Sequence, residues 1–243
     1  MAEQLEGYAR VWDQKPVLRL IYDDFYDRIV DSCVPGMTLE IGGGIGNLKQ
    51  RLGNVISTDV QFAPWLNCVA DAQILPFADA SIDNIVMVDV LHHVESPATF
   101  FREAERILRP GGRIVMVEPA ITWGSTLFYR FLHQEPVVTS ADPLVDGERS
   151  KDRDPYDSNQ AIPTLIATSH LNRFHRLFPT LRVSGLHWFS FAVYPLSGGF
   201  KSWSLVSERV ARRLLDLERK LEPAFGWLAG FRMMMIVEKT LPG

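Results

Sequence analysis

Cysteine is scarce in this 243-residue sequence: Cys33 and Cys68 are the two, far apart and in no metal-like spacing. That count excludes a disulfide framework, and a reducing cytoplasm is the simplest expected setting. Apolar runs of the length a bilayer crossing needs are missing as well. The opening MAEQLEGYARVWDQK is acidic and lacks an apolar centre, so a secretory signal is not expected there. Charge of one sign is not in excess. The formal net charge of −4 gives no electrostatic reason to expect a nucleic-acid partner. Repeats and low-complexity tracts are absent. Of the six histidines, His170 and His175 are five apart and cannot share one helical face, so no metal centre is expected.

What is present is the composition of a globular chain, 47% apolar and 22% charged. Its length suits one large α/β domain over residues 1–243. Apolar runs at Thr38–Ile41, Val55–Thr58, Ile85–Val88 and Arg113–Val117 are β-rich and lack strict polar alternation. Such runs suit strands buried on both faces of a parallel sheet. Between them, Thr99–Leu108 has a helical pattern that Pro110-Gly111-Gly112 ends. The alternation predicts βαβ units and a doubly wound sheet.

The stretch that organises the chain is Thr38–Asn47, TLEIGGGIGN, followed by Asp59 in VISTDV. It reads as a buried strand running into a glycine-packed turn that opens a helix. Without Cβ atoms the turn can take positive φ and bring backbone within contact of a ligand. An acid at the end of the next strand is where such folds hold ribose hydroxyls. An adenosine-containing cofactor is therefore predicted. A dinucleotide fold wants G-x-G-x-x-G/A, but from Gly42 the third position is Asn47. The pattern is instead E-x-G-x-G-x-G: Glu40, Gly42, Gly44 and Gly46, with Gly43 inside the run.

That pattern resembles motif I of the class I S-adenosylmethionine (SAM)-dependent methyltransferases. Downstream, DAQILPFADASIDNIVMVDVLHHVESP and LRPGGRIVMVEP resemble the family's later blocks in order and spacing, from Met37 to Pro119. The resemblance implies a Rossmann-like, seven-stranded sheet with an antiparallel last strand and helices on both faces. It implies SAM as cofactor and methyl transfer to an acceptor. Gly42, Gly43, Gly44 and Gly46 would approach the cofactor, and Asp59, with Val60 beside it, would take the ribose. Asp71 and the Ala72 amide would read adenine. Glu40, the Val88 carbonyl and Asp89 would stand at the methionine end. Asp59 and Asp71 read alternatively as turn or cap residues, and Asp83 as fixing the entry to its strand. Two other functions stand beside this one, a nicotinamide (NAD(P))-dependent oxidoreductase and a non-catalytic SAM-fold subunit of a complex.

Outside 37–119 the chain divides into a helical or lid-like segment (1–36), an acceptor-side segment (120–180) and C-terminal strands with a helical insertion (181–243). Val17, Leu18, Ile21, Phe25, Ile29 and Val30 recur at helical spacing, and Tyr8 and Trp12 before them read as surface packing or a lid. Trp123, Phe128, Tyr129 and Phe131 predict an apolar wall for a small organic acceptor, a natural-product, sugar-linked or lipid-linked intermediate methylated on a hydroxyl, with carbon and nitrogen acceptors open beside it. His133 and His93 are candidate bases for the proton such an acceptor loses, with helix-end and scaffold roles as the alternatives. Ser140–Gln160, rich in Asp, Pro and Gly, reads as a long loop that cannot build core and closes over the acceptor, or as plain surface. A strand is expected at Leu181–Tyr194, an amphipathic helix at Ser202–Glu222 and a last strand at Arg232–Lys239. The basic residues of 202–222 read as a solvated face or as a peripheral contact with anionic lipid.

Overall fold

Apolar residues at helical spacing fold the first 32 residues into two helices, α1 (Ala2–Gln14) and α2 (Pro16–Ser32), in a computed structural model that describes residues 2–131, 136–147 and 153–241. Pro16 sits in the first turn of α2, where a missing N–H leaves no intrahelical bond unmade. Val17, Leu18, Ile21, Phe25 and Ile29 are buried. Then come the strands β1 (Thr38–Ile41), β2 (Val55–Asp59), β3 (Cys68–Val69), β4 (Ile82–Val88), β5 (Leu108–Pro119), β6 (Leu181–Phe189) and β7 (Arg232–Lys239). Interleaved with them are α3 (Pro97–Ile107), α4 (Trp123–Phe131), α5 (Ile162–Ala167), α6 (Leu171–Leu177), α7 (Val193–Ser197) and α8 (Glu208–Ala229).

The strands make one seven-stranded sheet in the order β3-β2-β1-β4-β5-β7-β6. β1 to β5 run parallel, and β7 lies antiparallel between β5 and β6. This is the Rossmann-like sheet with an antiparallel last strand expected above. Its central strands β1, β4 and β5 are buried nearly throughout, as continuous apolar runs require. One face packs on α3, α5 and α6 through Phe100, Phe101, Ile166, Phe174 and Phe178. The other packs on α2, α7 and α8 through Ile21, Phe25, Phe189, Val193 and Leu215. α3 begins where Ser96 caps it, its hydroxyl accepting from the Thr99 amide at 3.4 Å, with Pro97 at the first position.

Four local expectations are corrected. The glycine turn opens no α-helix, only a 3₁₀ turn at Asn47–Gln50, because the chain must reach β2 eight residues after Asn47 and buries little there beyond Leu48. The strand expected to Tyr194 stops at Phe189, where Ser190 takes φ +60° and the chain turns into α7. The helix expected at Ser202–Glu222 starts later, at Glu208, and runs through Pro223 to Ala229. Its last turns are held by tertiary packing: a Cβ built on Gly226 would lie 2.1 Å from the Trp188 carbonyl oxygen. Finally, the 140–160 segment does contribute to the core, since Leu144 is buried in the cluster beneath α3 and α6.

The aromatic nest on that face gives a stability prediction. Phe101 meets Phe174 edge-on at 4.8 Å between ring centroids and lies 5.8 Å from Phe178. Phe101→Ala removes a fully buried ring from a site walled by rigid neighbours, and a loss of about 3–5 kcal/mol is expected. Urea unfolding checks it, as a lower midpoint at unchanged slope.

Candidate cofactor and acceptor cleft

In open α/β sheets, ligands sit outside the carboxyl ends of the strands where strand order reverses. Here that point lies between β1 and β4, and a cleft of 910 Å³ opens over it. The glycine turn forms its floor. Gly42, Gly44 and Gly46 have φ of +67°, +48° and +74°. At Gly42 a Cβ would lie 2.2 Å from a Val90 methyl, and at Gly43 one would lie 2.2 Å from the Ser57 hydroxyl. Only glycine lets the turn sit between β2 and the loop after β4. The Gly43 amide bonds to the Thr58 carbonyl at 2.8 Å, which ties the turn to β2.

Asp59, buried at the end of β2, braces this turn. Its Oδ2 accepts from the Gly44 amide at 3.1 Å and its Oδ1 from the Gln61 amide at 3.0 Å. A carboxylate offers about four lone-pair sites, so two remain for a diol. Val60 beside it is exposed and lines the cleft. Asp71 also lines the cleft, and its Oδ1 accepts from the Gln73 amide at 2.8 Å. It is therefore a turn residue and a wall residue at once. Ala72 is buried beside it. Glu40, on β1, is buried and accepts a short hydrogen bond from the Ser57 hydroxyl. Burial pushes its carboxyl up to about 7, only partly offset by that bond and by the Lys49 charge.

After β4 the chain turns sharply: Val88 ends the strand and Asp89 takes φ +58°. Both line the cleft. The Asp89 carboxylate is held by a short ion pair with the buried Arg232 of β7 and accepts from the Tyr22 hydroxyl at 3.2 Å. Burial, reinforced by the Asp89 charge, pushes the Tyr22 phenol well above its usual range. The loop beyond is clamped by Glu118 at the end of β5. Glu118 Oε1 accepts from the Val90 and Leu91 amides at 2.9 and 2.7 Å, and Oε2 lies 2.7 Å from His92 Nδ1.

The two adjacent histidines thus differ. His92 is buried in the clamp, whereas His93 is half-buried in the cleft wall with Nδ1 3.3 Å from the Asp157 carbonyl. A carbonyl only accepts, so in that contact the Nδ1–H donates. His133 lies outside the described residues. The far wall is aromatic: Tyr8 from α1, Phe128 and Tyr129 from α4, Tyr194 from α7, and Phe200 and Phe231. Of the four aromatic residues expected there, Phe128 and Tyr129 face the cleft, Trp123 instead faces solvent, and the Phe131 side chain lies outside the described residues. Arg153–Tyr156 adds another edge, and the Tyr156 hydroxyl accepts from Gln61 Nε2 at 2.7 Å.

Sequence reading gave no role to Glu118, Arg232, Tyr22 or Tyr156. For Glu118 a signal existed: it is the one acid in the apolar strand RIVMVEP. Arg232 carried none, standing like any charge at a strand start.

Residues 39–116 match the family model described as a methyltransferase domain. The chain is 30% identical over 157 residues to a demethylmenaquinone methyltransferase of Mycobacterium sp. strain KMS, covering 54% of this chain and 66% of that one. It is 45% identical over 47 residues to the 27-O-demethylrifamycin SV methyltransferase of Amycolatopsis mediterranei, 19% of this chain and 17% of that one. The chain thus spans less than two thirds of the length of the curated relatives it matches. Among solved structures, a SAM-dependent methyltransferase of Thermotoga maritima superposes with a TM-score of 0.61 at 18% identity, covering 99% of this chain and 100% of that one. At such identity the likeness is one of fold.

Glu40 gives a pH prediction with a definite sign. Its folded value near 7 lies above an ordinary 4.5, so the folded state holds the proton more tightly than the unfolded chain. The penalty is absent below about pH 4.5, grows as pH rises and levels off above about 7. At 1.36 kcal/mol per unit it approaches about 3 kcal/mol. Urea midpoints from pH 5 to 8 should show this decline, and Glu40→Gln should remove it.

Proposed function

We propose, from its membership of the class I SAM-dependent methyltransferases, that this chain binds SAM in the switch-point cleft and methylates a small organic acceptor on a hydroxyl oxygen. The observation that carries the reading is the meeting, in one cleft, of a Cβ-free glycine floor, the acids Glu40, Asp59 and Asp71, and an aromatic wall. The cradle fits the cofactor's chemistry. Gly42–Gly46 leaves room for close approach, Asp59 has lone pairs for a ribose diol, and Asp71 with Ala72 stands where an adenine edge would lie. Glu40 is the partner for the ammonium group, and its carboxylate form above pH 7 suits that task. When bound, SAM supplies a methyl carbon activated by a sulfonium.

The chain's own part is alignment and proton transfer. Phe128, Tyr129, Tyr194 and Phe231 hold an apolar acceptor body against the methionine end of the site. His93 Nε2 takes the proton that a hydroxyl acceptor must lose, with the Asp157 carbonyl holding the ring. Relatives named for demethylmenaquinone and for 27-O-demethylrifamycin SV support a small organic acceptor.

Calorimetric titration with S-adenosylhomocysteine tests the cofactor assignment, and a dissociation constant in the micromolar range is expected, with no heat from NAD. Asp59→Ala should weaken binding by about 2–4 kcal/mol, the worth of a charge-assisted pair of hydrogen bonds. An unchanged constant in a folded variant would remove Asp59 from the site, and heat with NAD alone would overturn the cofactor.

A further inference from the structure

Helix α8 has two apolar faces, and the sheet covers one. Ala211, Leu215 and Gly226 are buried, as is Glu218, whose carboxylate accepts from the Ala192 and Val193 amides at 2.6 and 2.8 Å. A second row, Val210, Leu214, Leu217, Leu221, Ala224 and Leu228, advances by four and three residues in turn, the spacing of a coiled-coil seam. Leu214 is half-buried and the others are exposed, Leu217 by 51%. At 1.5 Å per residue the row is about 27 Å long. At its C-terminal end stands α4, where a Cβ built on Gly124 would meet Ala229 Cα at 2.9 Å. The outer side of α4 is apolar too, with Trp123 83% and Leu127 67% exposed.

Charge decides what covers this face. Arg213 and Lys220, seven residues apart, follow one flank of the row, with Arg209 beside them. None of the three forms an ion pair among the described residues. The acids of the helix are committed elsewhere: Glu208 to Arg212, Glu222 to Arg28 and Glu218 inward, which leaves Asp216. A second copy laid antiparallel along the seam would bring this basic flank against the same flank of its partner, like charge on like. An anionic surface meets that flank instead. Trp123, exposed on the outer side of α4, suits the depth of lipid headgroups.

We propose that α8 and the outer side of α4 dock on an anionic phospholipid bilayer. The apolar row enters the headgroup–acyl boundary, and Arg209, Arg213 and Lys220 face the lipid phosphates. The docked face adjoins the acceptor wall, because α4 turns Phe128 and Tyr129 into the cleft from its other side. Docking does not depend on the chemistry in the cleft, so it is read without turnover.

The test is sedimentation of the full chain with phosphatidylcholine vesicles, with and without phosphatidylglycerol. Partition should require phosphatidylglycerol and weaken as salt is raised. Neutralising two charges in Arg213→Gln/Lys220→Gln should weaken it on the order of thirty-fold, at about 1 kcal/mol per basic residue. Leu217→Glu/Leu221→Glu should abolish it with the melting temperature and S-adenosylhomocysteine binding unchanged, which separates this proposal from the cofactor assignment. Equal partition into both vesicle types, or into neither, would overturn it. So would a dimer in sedimentation velocity that Leu217→Glu dissociates, which would assign the face to a second copy. Tighter binding of a glutamate-rich amphipathic helical peptide than of the anionic vesicles would overturn it in favour of an acidic protein partner.

Discussion

A single buried carboxylate decides the shape of the cleft. Glu118 is 1% exposed at the end of β5, and it spends its oxygens on the Val90 amide, the Leu91 amide and His92. Those three groups belong to the loop that leaves β4, and without Glu118 the Val90 and Leu91 amides would lose that acceptor, at about 1–3 kcal/mol each. The loop is thereby pulled across toward β5. Val90 is then brought over Gly42, close enough that no side chain fits there. The glycine requirement on one strand is thus set by an acid on another, two strands away in the sheet.

The cleft that results has two chemically distinct sides. Toward β1 and β2 it carries the acids Glu40 and Asp59, with Asp71 beyond them. Toward β7, α4 and α7 it is built of rings. The N-terminal helices join the second side to the rest. Lys15 Nζ donates to the Gly199 and Lys201 carbonyls at 2.6 and 2.8 Å, which fixes the 198–201 turn against the start of α2. Tyr8 then packs on Phe200 at 5.0 Å between ring centroids and closes that edge. A cation and a polar, hydroxyl-bearing ligand suit the first side, and an apolar body suits the second.

The first side was legible in the sequence and the second only in part, for a physical reason. Strand, glycine turn and acid form a local unit: backbone geometry demands glycine, and the acid follows within twenty residues. Such constraints leave a contiguous trace, so the order of the blocks from Met37 to Pro119 anticipates the parallel half of the sheet. The ring side is assembled from α1, α4, α7 and the start of β7, segments far apart in sequence with no fixed spacing. Nothing local in Trp123-to-Phe131 says which aromatic residues turn inward; packing of Gly124 against α8 decides that Phe128 and Tyr129 do and Trp123 does not. The end of β6 was misjudged for a related reason, because the run of apolar residues continues past Phe189 while a positive φ at Ser190 ends the strand.

The two sides are joined by the pair of Arg232 and Asp89. Removing a guanidinium and a carboxylate from water is expensive, and such a pair is weak evidence for stability in itself. Its value here is positional. Asp89 sits at the end of β4 in a left-handed conformation that a non-glycine residue adopts at a cost, so something must hold it. Arg232 holds it from the first residue of β7, with the Tyr194 ring stacked on the guanidinium at 4.1 Å and the Tyr22 hydroxyl on the carboxylate. One ion pair therefore gathers α2, β4, α7 and β7 at the point where the acid side meets the ring side. A shift of β7 by one residue would turn Arg232 to the other face of the sheet and leave Asp89 without its partner. The antiparallel strand is thereby locked in register by the same contact that sets the distance across the cleft.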